Sequence, residues 1–242
     1  MKRITFILTL ICALNSFAGE QLFLQANTEY ANENYTVAAS LYDSVLTTGL
    51  ESSELYYNLG NCHYKTQDWA NAIWHFEKSL QLVKNEKATH NLELANLKII
   101  DRIEALPQLF YKKWFTSLTQ IFSTKTWQIL ALLCIGFILL LQLLNQFTSS
   151  KNKLFSYFLH TSAVVLLLIT HSSYAHNFVK KEAIIFSETI TINSAPTSNS
   201  TNLFSLHSGT KVEVIDEIGD WINIKIANGN SGWIAQNSIK EL

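Results

Sequence analysis

Two pairs of histidines lie in segments that could form helices, where they could bind a metal ion or transfer protons. His160 and His171 are 11 residues apart in an uncharged apolar stretch and would share a helix face. At a rise of about 1.5 Å per residue they are about 16 Å apart, too far to ligate one metal ion. His63 and His75 lie in a stretch rich in aromatic residues, where structural histidines are the commoner case. A membrane-embedded enzyme would therefore depend on His160 or His171.

Motifs of the common catalytic and cofactor sites are absent from the sequence. There is no Gly-rich phosphate loop, no Cys-x-x-Cys and no His-Glu-x-x-His. A formal net charge of -1 and the lack of a long basic run give no electrostatic case for nucleic-acid binding. We therefore expect a non-enzymatic protein with no catalytic residue, cofactor or metal site, whose function depends on recognition surfaces.

A 34-residue repeat positions the first set of candidate binding residues. Similar residues coincide without an insertion when the stretch from Tyr56 to Leu80 is shifted by 34 positions. The matched pairs are Ala26 and Gly60, Tyr35 and Trp69, Ala38 and Ala72, Tyr42 and Phe76, and Leu46 and Leu80. Small residues allow two antiparallel helices to approach closely, and aromatic residues fill the volume around them. The repeat therefore predicts packed helix pairs.

These residues resemble the tetratricopeptide repeat (TPR). The stretch NLGNCHYKTQDWANAIWHFEKSL fits the TPR pattern at nearly every diagnostic position, and QANTEYANENYTVAASLYDSVL is a weaker copy in register. Glu33 and Gln67 occupy the turn position where Gly is usual, and no Pro closes either repeat. A third, partial copy predicts a capping helix over residues 88–105. The resemblance implies an α-helical TPR solenoid over residues 19–105, with two helix pairs and a cap.

The TPR resemblance implies a protein-binding surface, because the first helix of each pair lines the concave face of such a solenoid. The matching residues, with one basic neighbour, are Phe23, Asn27, Tyr30, Tyr57, Asn61, Tyr64 and Lys65. Asn side chains can hydrogen-bond to a peptide backbone, and Tyr offers amphipathic contact area. A single lysine is insufficient for a clamp on acidic C-termini, so a neutral or extended segment is the expected ligand. Alternatively, some of these aromatic residues only pack between neighbouring helices.

The first twenty residues, MKRITFILTLICALNSFAGE, are typical of a secretory signal peptide. Two basic residues precede an apolar run, and a small-x-small sequence ends at Ala18. We expect a signal peptide over residues 1–18, and an uncleaved anchor is the alternative. The exported chain would keep only Cys62 and Cys134, which lie in dissimilar segments and are not expected to form a disulfide.

Two apolar stretches predict membrane spans, in keeping with a charged fraction of only 15%. Residues 127–147 and 154–174 are uncharged and long enough, at about 1.5 Å per residue, for a hydrocarbon core of about 30 Å. Only residues 148–153 separate them, so we expect an antiparallel transmembrane hairpin. Lysines lie on both sides of the first span and do not decide its orientation. The predicted signal peptide places the flanking domains on the periplasmic side of the inner (cytoplasmic) membrane and residues 148–153 in the cytoplasm.

Residues 106–126 link the predicted cap helix to the first span. Pro107 ends the cap helix. The aromatic residues and lysines that follow it are Phe110, Tyr111, Lys112, Lys113, Trp114 and Phe115. This composition predicts an interfacial linker at the membrane surface. A soluble amphipathic helix packed on the TPR is an equally good interpretation.

Residues 183–242 change to an alternating pattern with short glycine-punctuated intervals, which predicts a small antiparallel barrel or sandwich. The stretches ITINSAP, LHSGTKVEV and DWINIKIANGNSGWI resemble the bacterial SH3 domain and imply a small all-β SH3-like barrel. Asn193 occupies a position where many members carry Arg. Residues that could line a peptide or glycan cleft are Trp221, Asn228, Asn230 and Trp233. Alternatively, the two Trp residues fill the core of the barrel.

The order of signal peptide, TPR pair, aromatic linker, membrane hairpin and SH3-like domain resembles the BatE-like TPR proteins of the Bacteroides aerotolerance (Bat) operon group. That resemblance implies a multidomain envelope scaffold working beside von Willebrand A-domain membrane proteins and a MoxR-type ATPase, with a role in aerotolerance or stress response. Two hypotheses follow. Either the TPR holds segments of partner proteins, or the SH3-like domain binds peptidoglycan as a wall tether or sensor.

Overall fold

The structure is a computed structural model and describes part of the chain. The described residues are 19–107, 109–145, 153–175 and 181–242. The predicted signal peptide lies outside them, as does the predicted loop 148–153 except for Lys153, where a helix begins.

The described residues divide into two compact units. The first, which we call the repeat–sheet unit, combines the residues up to Ala105 with Glu182–Leu242. The second, which we call the hairpin unit, is Leu106–Lys181. The helical repeats and the C-terminal strands therefore belong to one unit, although the apolar helices separate them in the sequence.

Five helices form the N-terminal part of the repeat–sheet unit. They are α1 (residues 19–31), α2 (Tyr35–Thr47), α3 (Ser53–Lys65), α4 (Trp69–Leu82) and α5 (Glu86–Asn96). The pairs α1/α2 and α3/α4 are the two predicted helix pairs, and α5 follows them as the cap. Asp68 caps the start of α4, because its carboxylate accepts a hydrogen bond from the Asn71 backbone N–H at 3.3 Å.

Close approach of α3 and α4 requires the glycine at position 60. A Cβ atom there would lie 2.5 Å from two carbon atoms of the Phe76 ring. Phe76 is fully buried and has no room to withdraw. This is the small-residue contact that the repeat predicts.

The turns within the two helix pairs are strained. Glu33 has φ 64° and Gln67 has φ 63°, so both residues adopt the left-handed conformation that usually selects glycine. A residue with a Cβ atom pays about 1 kcal/mol for that conformation. The sequence departs from the TPR pattern at these two positions, but the backbone keeps the geometry of the pattern.

The cap helix is shorter than predicted. α5 ends at Asn96, whereas the sequence predicts a helix continuing to Ala105, and residues 97–105 form turns and irregular backbone. Three side chains of this segment turn toward the C-terminal sheet: Ile99 lies against Gly209, Asp101 binds His207, and Ile103 packs on the sheet core. Contacts with the sheet replace the helical hydrogen bonds that residues 97–105 would otherwise make.

Seven strands form one antiparallel sheet in the C-terminal part. They are β1 (Lys181–Ile185), β2 (Thr189–Asn193), β3 (Asn202–His207), β4 (Lys211–Ile218), β5 (Trp221–Lys225), β6 (Ser231–Ala235) and β7 (Ile239–Glu241), in the order β3-β2-β6-β5-β4-β1-β7. Alternate residues of β4, β5 and β6 are buried, and they build the sheet core with inward residues of β1, β2 and β3.

The C-terminal part is all-β as predicted, but its sheet is not closed into a barrel. β3 and β7 are the two edges, and no ladder joins them among the described residues. The reason lies at the β1/β7 end. Ile184 is fully buried in a cluster of α3, α4 and α5 side chains, and the Trp74 Nε1–H donates to the Glu241 carbonyl at 2.8 Å. The helical repeats cover this end of the sheet, where a closing strand would lie in a barrel.

Polar contacts reinforce the junction between repeats and sheet. The Asp101 carboxylate accepts hydrogen bonds from the His207 backbone N–H at 2.6 Å, the His207 ring Nδ1 at 2.8 Å and the Thr210 hydroxyl at 2.6 Å. The Lys211 ammonium lies 3.0 Å from Glu77 of α4 and 2.7 Å from Glu182 of β1. The junction therefore combines an apolar core with charged hydrogen bonds.

The hairpin unit contains three helices: α6 (Phe110–Thr119), α7 (Thr124–Asn145) and α8 (Lys153–Tyr174). The windows Thr124–Leu144 and Leu154–Tyr174 have mean hydropathy 2.4 and 1.6, and each is long and apolar enough to cross a membrane. Only 17% of each window is buried inside the protein, which is low for the core helices of a soluble domain. α7 and α8 pack on each other around Ile138, Leu159 and Ala163.

Candidate functional site

The first helices of the repeats carry a ladder of asparagine side chains. Asn27 of α1 accepts a hydrogen bond from Asn58 of α3 at 3.3 Å, and Asn61 of α3 accepts one from Asn91 of α5 at 2.7 Å. Asn27 also accepts a bond from the Tyr42 hydroxyl at 2.6 Å. The predicted binding residues Asn27 and Asn61 thus fix the spacing of successive first helices.

The predicted aromatic residues of this face are half-buried and contact aromatic neighbours. Phe23 packs on Tyr42, Tyr30 on Tyr35, Tyr57 on Phe76, and Tyr64 on Trp69, with ring centroids 5.2 to 6.1 Å apart. Each ring therefore contributes to packing between helices and keeps part of its surface accessible. Burial raises the pKa of Tyr30 above its usual value, so that hydroxyl stays protonated at neutral pH.

Lys65 is the exposed member of the predicted set. Its ammonium lies 5.8 Å from the centroid of the Tyr35 ring, so it ends the aromatic surface at the C-terminus of α3. All seven predicted residues belong to α1 or α3. We call the accessible parts of these seven residues the first-helix face.

The C-terminal sheet is bonded to a different part of the repeats. The described hydrogen bonds and ion pairs between repeats and sheet come from Trp74 and Glu77 of α4 and from Asp101. None of the seven residues of the first-helix face takes part in these polar bonds, although Tyr57 and Tyr64 pack against the apolar cluster that includes Ile184 of β1.

Two histidines of the repeats form a buried stack. The rings of His63 and His75 are 5.1 Å apart and nearly parallel, at 7°. His75 is 4% exposed, and burial, with a smaller effect from His63, lowers the pKa of His75 to about 2. Neutral His75 also contacts the rings of Tyr56 and Trp74. These contacts assign His75 to packing, whereas the half-buried His63 also lies 3.3 Å from the Asp68 carboxylate.

The second predicted set lies on the sheet. Trp221 and Trp233 are half-buried and alternate along β5 and β6 with the core residues Ile222 and Ile234. They therefore lie on the face opposite the sheet core, and the alternative that they fill that core does not hold. We call this face the outer sheet face.

Trp233 pairs in register with Asn223 of β5 on one side and with Asn193 of β2 on the other. Directly paired residues share a face, so an Asn–Trp–Asn row crosses three strands beside Trp221. The Asn223 side-chain oxygen is buried and has no hydrogen-bond partner among the described residues. Asn223 is absent from the predicted set, although its alternation with Trp221 in the sequence would have placed it on this face.

The predicted residues Asn228 and Asn230 lie in the turn between β5 and β6. The Asn228 side chain accepts a hydrogen bond from the Asn230 backbone N–H at 3.0 Å, and Gly229 between them has φ 92°. Two residue pairs, Ile224–Gly232 and Lys225–Ser231, separate this turn from the row that contains Trp233. The structure therefore brings Trp221 and Trp233 together and assigns the two asparagines to the turn.

No group of three metal-ligating side chains occurs within the ranges that the structure describes. In α8, His160 lies 3.2 Å from the Gln142 side chain of α7 and 2.6 Å from the Ser156 carbonyl. These are polar contacts within a helix pair. The first-helix face and the outer sheet face remain the two candidate sites.

Two family models match the chain. Residues 53–86 match the tetratricopeptide repeat, and residues 190–240 match the bacterial SH3 domain. No curated protein sequence matches the chain. TPR and bacterial SH3 domains are typically non-catalytic modules that bind proteins or peptidoglycan. The matched segments contain α3 and α4 of the repeats and most of the sheet, and therefore parts of both candidate sites.

Proposed function

We propose that this protein is a non-enzymatic, membrane-anchored scaffold whose repeat–sheet unit binds partner proteins of an envelope complex. One observation carries the proposal: a TPR and a bacterial SH3 domain, on opposite sides of two apolar helices in the sequence, pack into one compact unit. Two binding modules fixed to each other present their surfaces in a constant relative orientation. A scaffold that brings partners together needs that property.

The packing also limits the membrane topology. Residues that precede the two apolar helices bind residues that follow them, as in the bonds from Trp74 to Glu241 and from Asp101 to His207. Both parts must therefore lie on one side of any membrane that the helices cross. We propose the periplasmic side of the inner (cytoplasmic) membrane, because the predicted signal peptide exports the repeats. Residues 148–153 would then be the cytoplasmic loop.

The first-helix face is the proposed protein-binding surface. Its tyrosines and asparagines offer amphipathic contact area and amide groups, and they keep accessible surface while packing between helices. Lys65 is the only charged residue among the seven, so a neutral or extended segment of the partner fits better than a strongly acidic one. The resemblance to the Bat group suggests von Willebrand A-domain membrane proteins and a MoxR-type ATPase system as partners, in aerotolerance or stress response.

A crosslinked pull-down from native membranes tests this surface. We would compare the wild type with the Tyr30→Ala/Asn61→Ala/Tyr64→Ala variant, which removes two rings and one ladder asparagine. Lys65→Glu is a milder change, because this exposed side chain contacts only the Tyr35 ring in the described residues. Val37→Ala, at an exposed position of α2, is the matched control. Far-UV circular dichroism must show that each variant is folded.

We expect discrete membrane proteins in the wild-type and Val37→Ala samples and their loss in the triple variant, with a partial loss for Lys65→Glu. Unchanged capture by a folded triple variant would refute the first-helix face as the binding surface. Capture that also disappears with Val37→Ala would show that the changes act through general destabilisation.

A second function, peptidoglycan binding, is favoured by the outer sheet face. Two half-buried Trp rings and two Asn side chains occupy neighbouring positions there, outside the sheet core. Aromatic faces and amides suit glycan or peptide chains. Co-sedimentation with purified sacculi should fall when Trp221 and Trp233 are both replaced by Ala, and should be unaffected by Trp69→Ala in the repeats. Equal sedimentation of all three proteins would exclude this function.

A further inference from the structure

Helix α6 has an aromatic face that the described residues of the hairpin unit do not cover. At 100° per residue, its five large apolar residues fall within an arc of about 140°. They are Phe110, Tyr111, Trp114, Phe115 and Leu118. Phe110 is 85% exposed and Trp114 is 67% exposed, whereas Thr119, outside this arc, is 2% exposed. Thr119 thus packs toward the neighbouring helices, whereas the aromatic residues of the arc are exposed together with Lys112 and Lys113. An exposed aromatic arc is unusual for a helix in a soluble domain.

Hydrogen bonds fix α6 at one end of the apolar helix pair. The Trp127 Nε1–H, in the first turn of α7, donates to the Thr119 carbonyl at the end of α6 at 3.0 Å. The Thr124 hydroxyl at the start of α7 lies 2.9 Å from the Ser173 hydroxyl near the end of α8. α6 also contacts α8. It therefore lies at the level where the first apolar helix begins and the second one ends.

The charge of this segment has one sign. Residues 106–126 contain Lys112, Lys113 and Lys125 and no Asp or Glu. Lys112 and Lys113 lie outside the aromatic arc on the helix surface. Their ammonium groups can therefore extend away from the layer in which the aromatic rings lie. Such a distribution matches a surface with an apolar interior and an anionic outer layer.

We propose that α6 binds the membrane surface itself, with its aromatic arc at the boundary of headgroups and acyl chains and its lysines on anionic headgroups. The proposal rests on the proposed membrane anchoring and extends it, because it assigns a lipid contact to a helix that does not span the membrane. Aromatic residues beside lysines at the end of a span are the side chains that favour this layer. Besides its two spans, the hairpin thereby has a third contact with the bilayer. This contact limits rotation of the hairpin and changes in its depth in the membrane.

Site-directed spin labelling of the full chain in vesicles tests the proposal. Nitroxides would be attached through Phe110→Cys, Trp114→Cys, Lys112→Cys and Lys113→Cys in separate proteins. Cys12 and Cys134 would be replaced by Ser, and Cys62 can stay because it is fully buried. Leu132→Cys, at a 68% exposed position of α7, is the control for membrane insertion. Collisions with oxygen report lipid, and collisions with a water-soluble nickel chelate report water.

We expect labels at positions 110 and 114 to favour oxygen at least threefold over the nickel chelate relative to labels at 112 and 113. Nickel access at all four positions would overturn the proposal by placing α6 in water. Low access to both reagents at 110 and 114 would overturn it too, because the aromatic arc would then be docked on protein. A nickel-accessible label at 132 would instead refute the membrane anchoring on which the proposal rests.

The anionic preference has its own comparison. In vesicles that contain phosphatidylglycerol, Lys112→Gln and Lys113→Gln should each lower the lipid-docked population of the label at 114 about fivefold relative to undocked α6. In pure phosphatidylcholine the two substitutions should have little effect. Equal effects in both kinds of vesicle would overturn the assignment of these lysines to anionic headgroups.

Discussion

Replacing Asp101 by Ala should weaken the attachment of the sheet to the repeats and leave the apolar core of each part unchanged. The carboxylate lies in the segment after α5 and accepts three hydrogen bonds from His207 and Thr210, at the turn between β3 and β4. Its side chain is only 11% exposed, so water replaces few of these bonds in the folded protein. Glu104, an exposed carboxylate in the same segment, offers the matched control Glu104→Ala.

The expected loss is about 3 kcal/mol. Hydrogen bonds to a charged acceptor contribute about 1.5–3 kcal/mol each, but bonds that share one acceptor are not additive. The His207 ring is 28% exposed and can bond to water, which leaves the His207 N–H and the Thr210 hydroxyl as the donors that lose most. At about 1.4 kcal/mol per factor of ten, the loss corresponds to roughly a 100-fold increase in opening of this turn.

Hydrogen–deuterium exchange with mass spectrometry would measure that opening in the full chain. Peptides that contain His207 and Thr210 should exchange roughly 100-fold faster in Asp101→Ala than in the wild type. Peptides from α2 and α3 should change much less, and Glu104→Ala should match the wild type. Equal protection of the β3–β4 turn in all three proteins at neutral pH would refute the idea that Asp101 joins the repeats to the sheet.

The same carboxylate predicts a pH dependence. Burial acts to raise the pKa of Asp101, but hydrogen bonds from Thr210 and His207 outweigh burial and hold the pKa below its usual value. A carboxylate with a lowered pKa stabilises the folded state above the unfolded pKa of about 3.9 and loses that effect as the pH falls through the folded pKa. The difference in thermal midpoint between wild type and Asp101→Ala should therefore stay constant from pH 5 to pH 7 and shrink below about pH 4.

Three further predictions concern single side chains of the repeats. Trp74→Phe should destabilise the repeat–sheet unit by about 1 kcal/mol in thermal unfolding, because it removes the 2.8 Å hydrogen bond from the Trp74 ring to the Glu241 carbonyl; an unchanged midpoint would contradict this. Gln67→Gly should stabilise the unit by up to about 1 kcal/mol in the same assay, because it relieves a left-handed φ of 63°; a lower midpoint would show that the Gln67 side chain matters more than the strain. Burial raises the pKa of the Cys62 thiol to about 12, so this thiol should react with maleimide at pH 7 only after denaturation; fast labelling of the native protein would show that α3 opens.

The helix pairs were predictable because their determinants are local and periodic. Gly60 and Phe76 are in contact in the structure, as the repeated pattern of small and aromatic residues predicts. Asp68 caps the start of α4. The end of α5 was not predictable in the same way. Residues 97–105 would suit a helix by composition, but side chains such as Asp101 find partners on the sheet that no local pattern reveals. Tertiary contacts decided the conformation of this segment.

For the candidate sites, the TPR resemblance predicted the helices that carry the residues but not their hydrogen-bond partners. The register of the repeat places Asn27 and Asn61 on first helices, where the structure has them, but their bonds to Asn58 and Asn91 join separate helices. The similarity of Asn58 and Asn91, 33 residues apart, was the available signal for this ladder. On the sheet, Trp221 alternates in the sequence with core residues of β5, so it lies outside the core. The sheet remains open because the repeats cover one of its ends, and no local pattern in the sequence shows that contact.

The bond between Thr124 and Ser173 has a consequence for how the protein folds. Asp101 and His207 are 106 residues apart, a distant pair that an unfolded chain would find slowly. When the ends of α7 and α8 are joined at Thr124 and Ser173, the free chain between Asp101 and His207 is roughly halved. Halving a flexible loop lowers its closure cost by about 0.6 kcal/mol. Pairing of the two apolar helices therefore favours folding of the repeat–sheet unit, and slow pairing would delay its assembly.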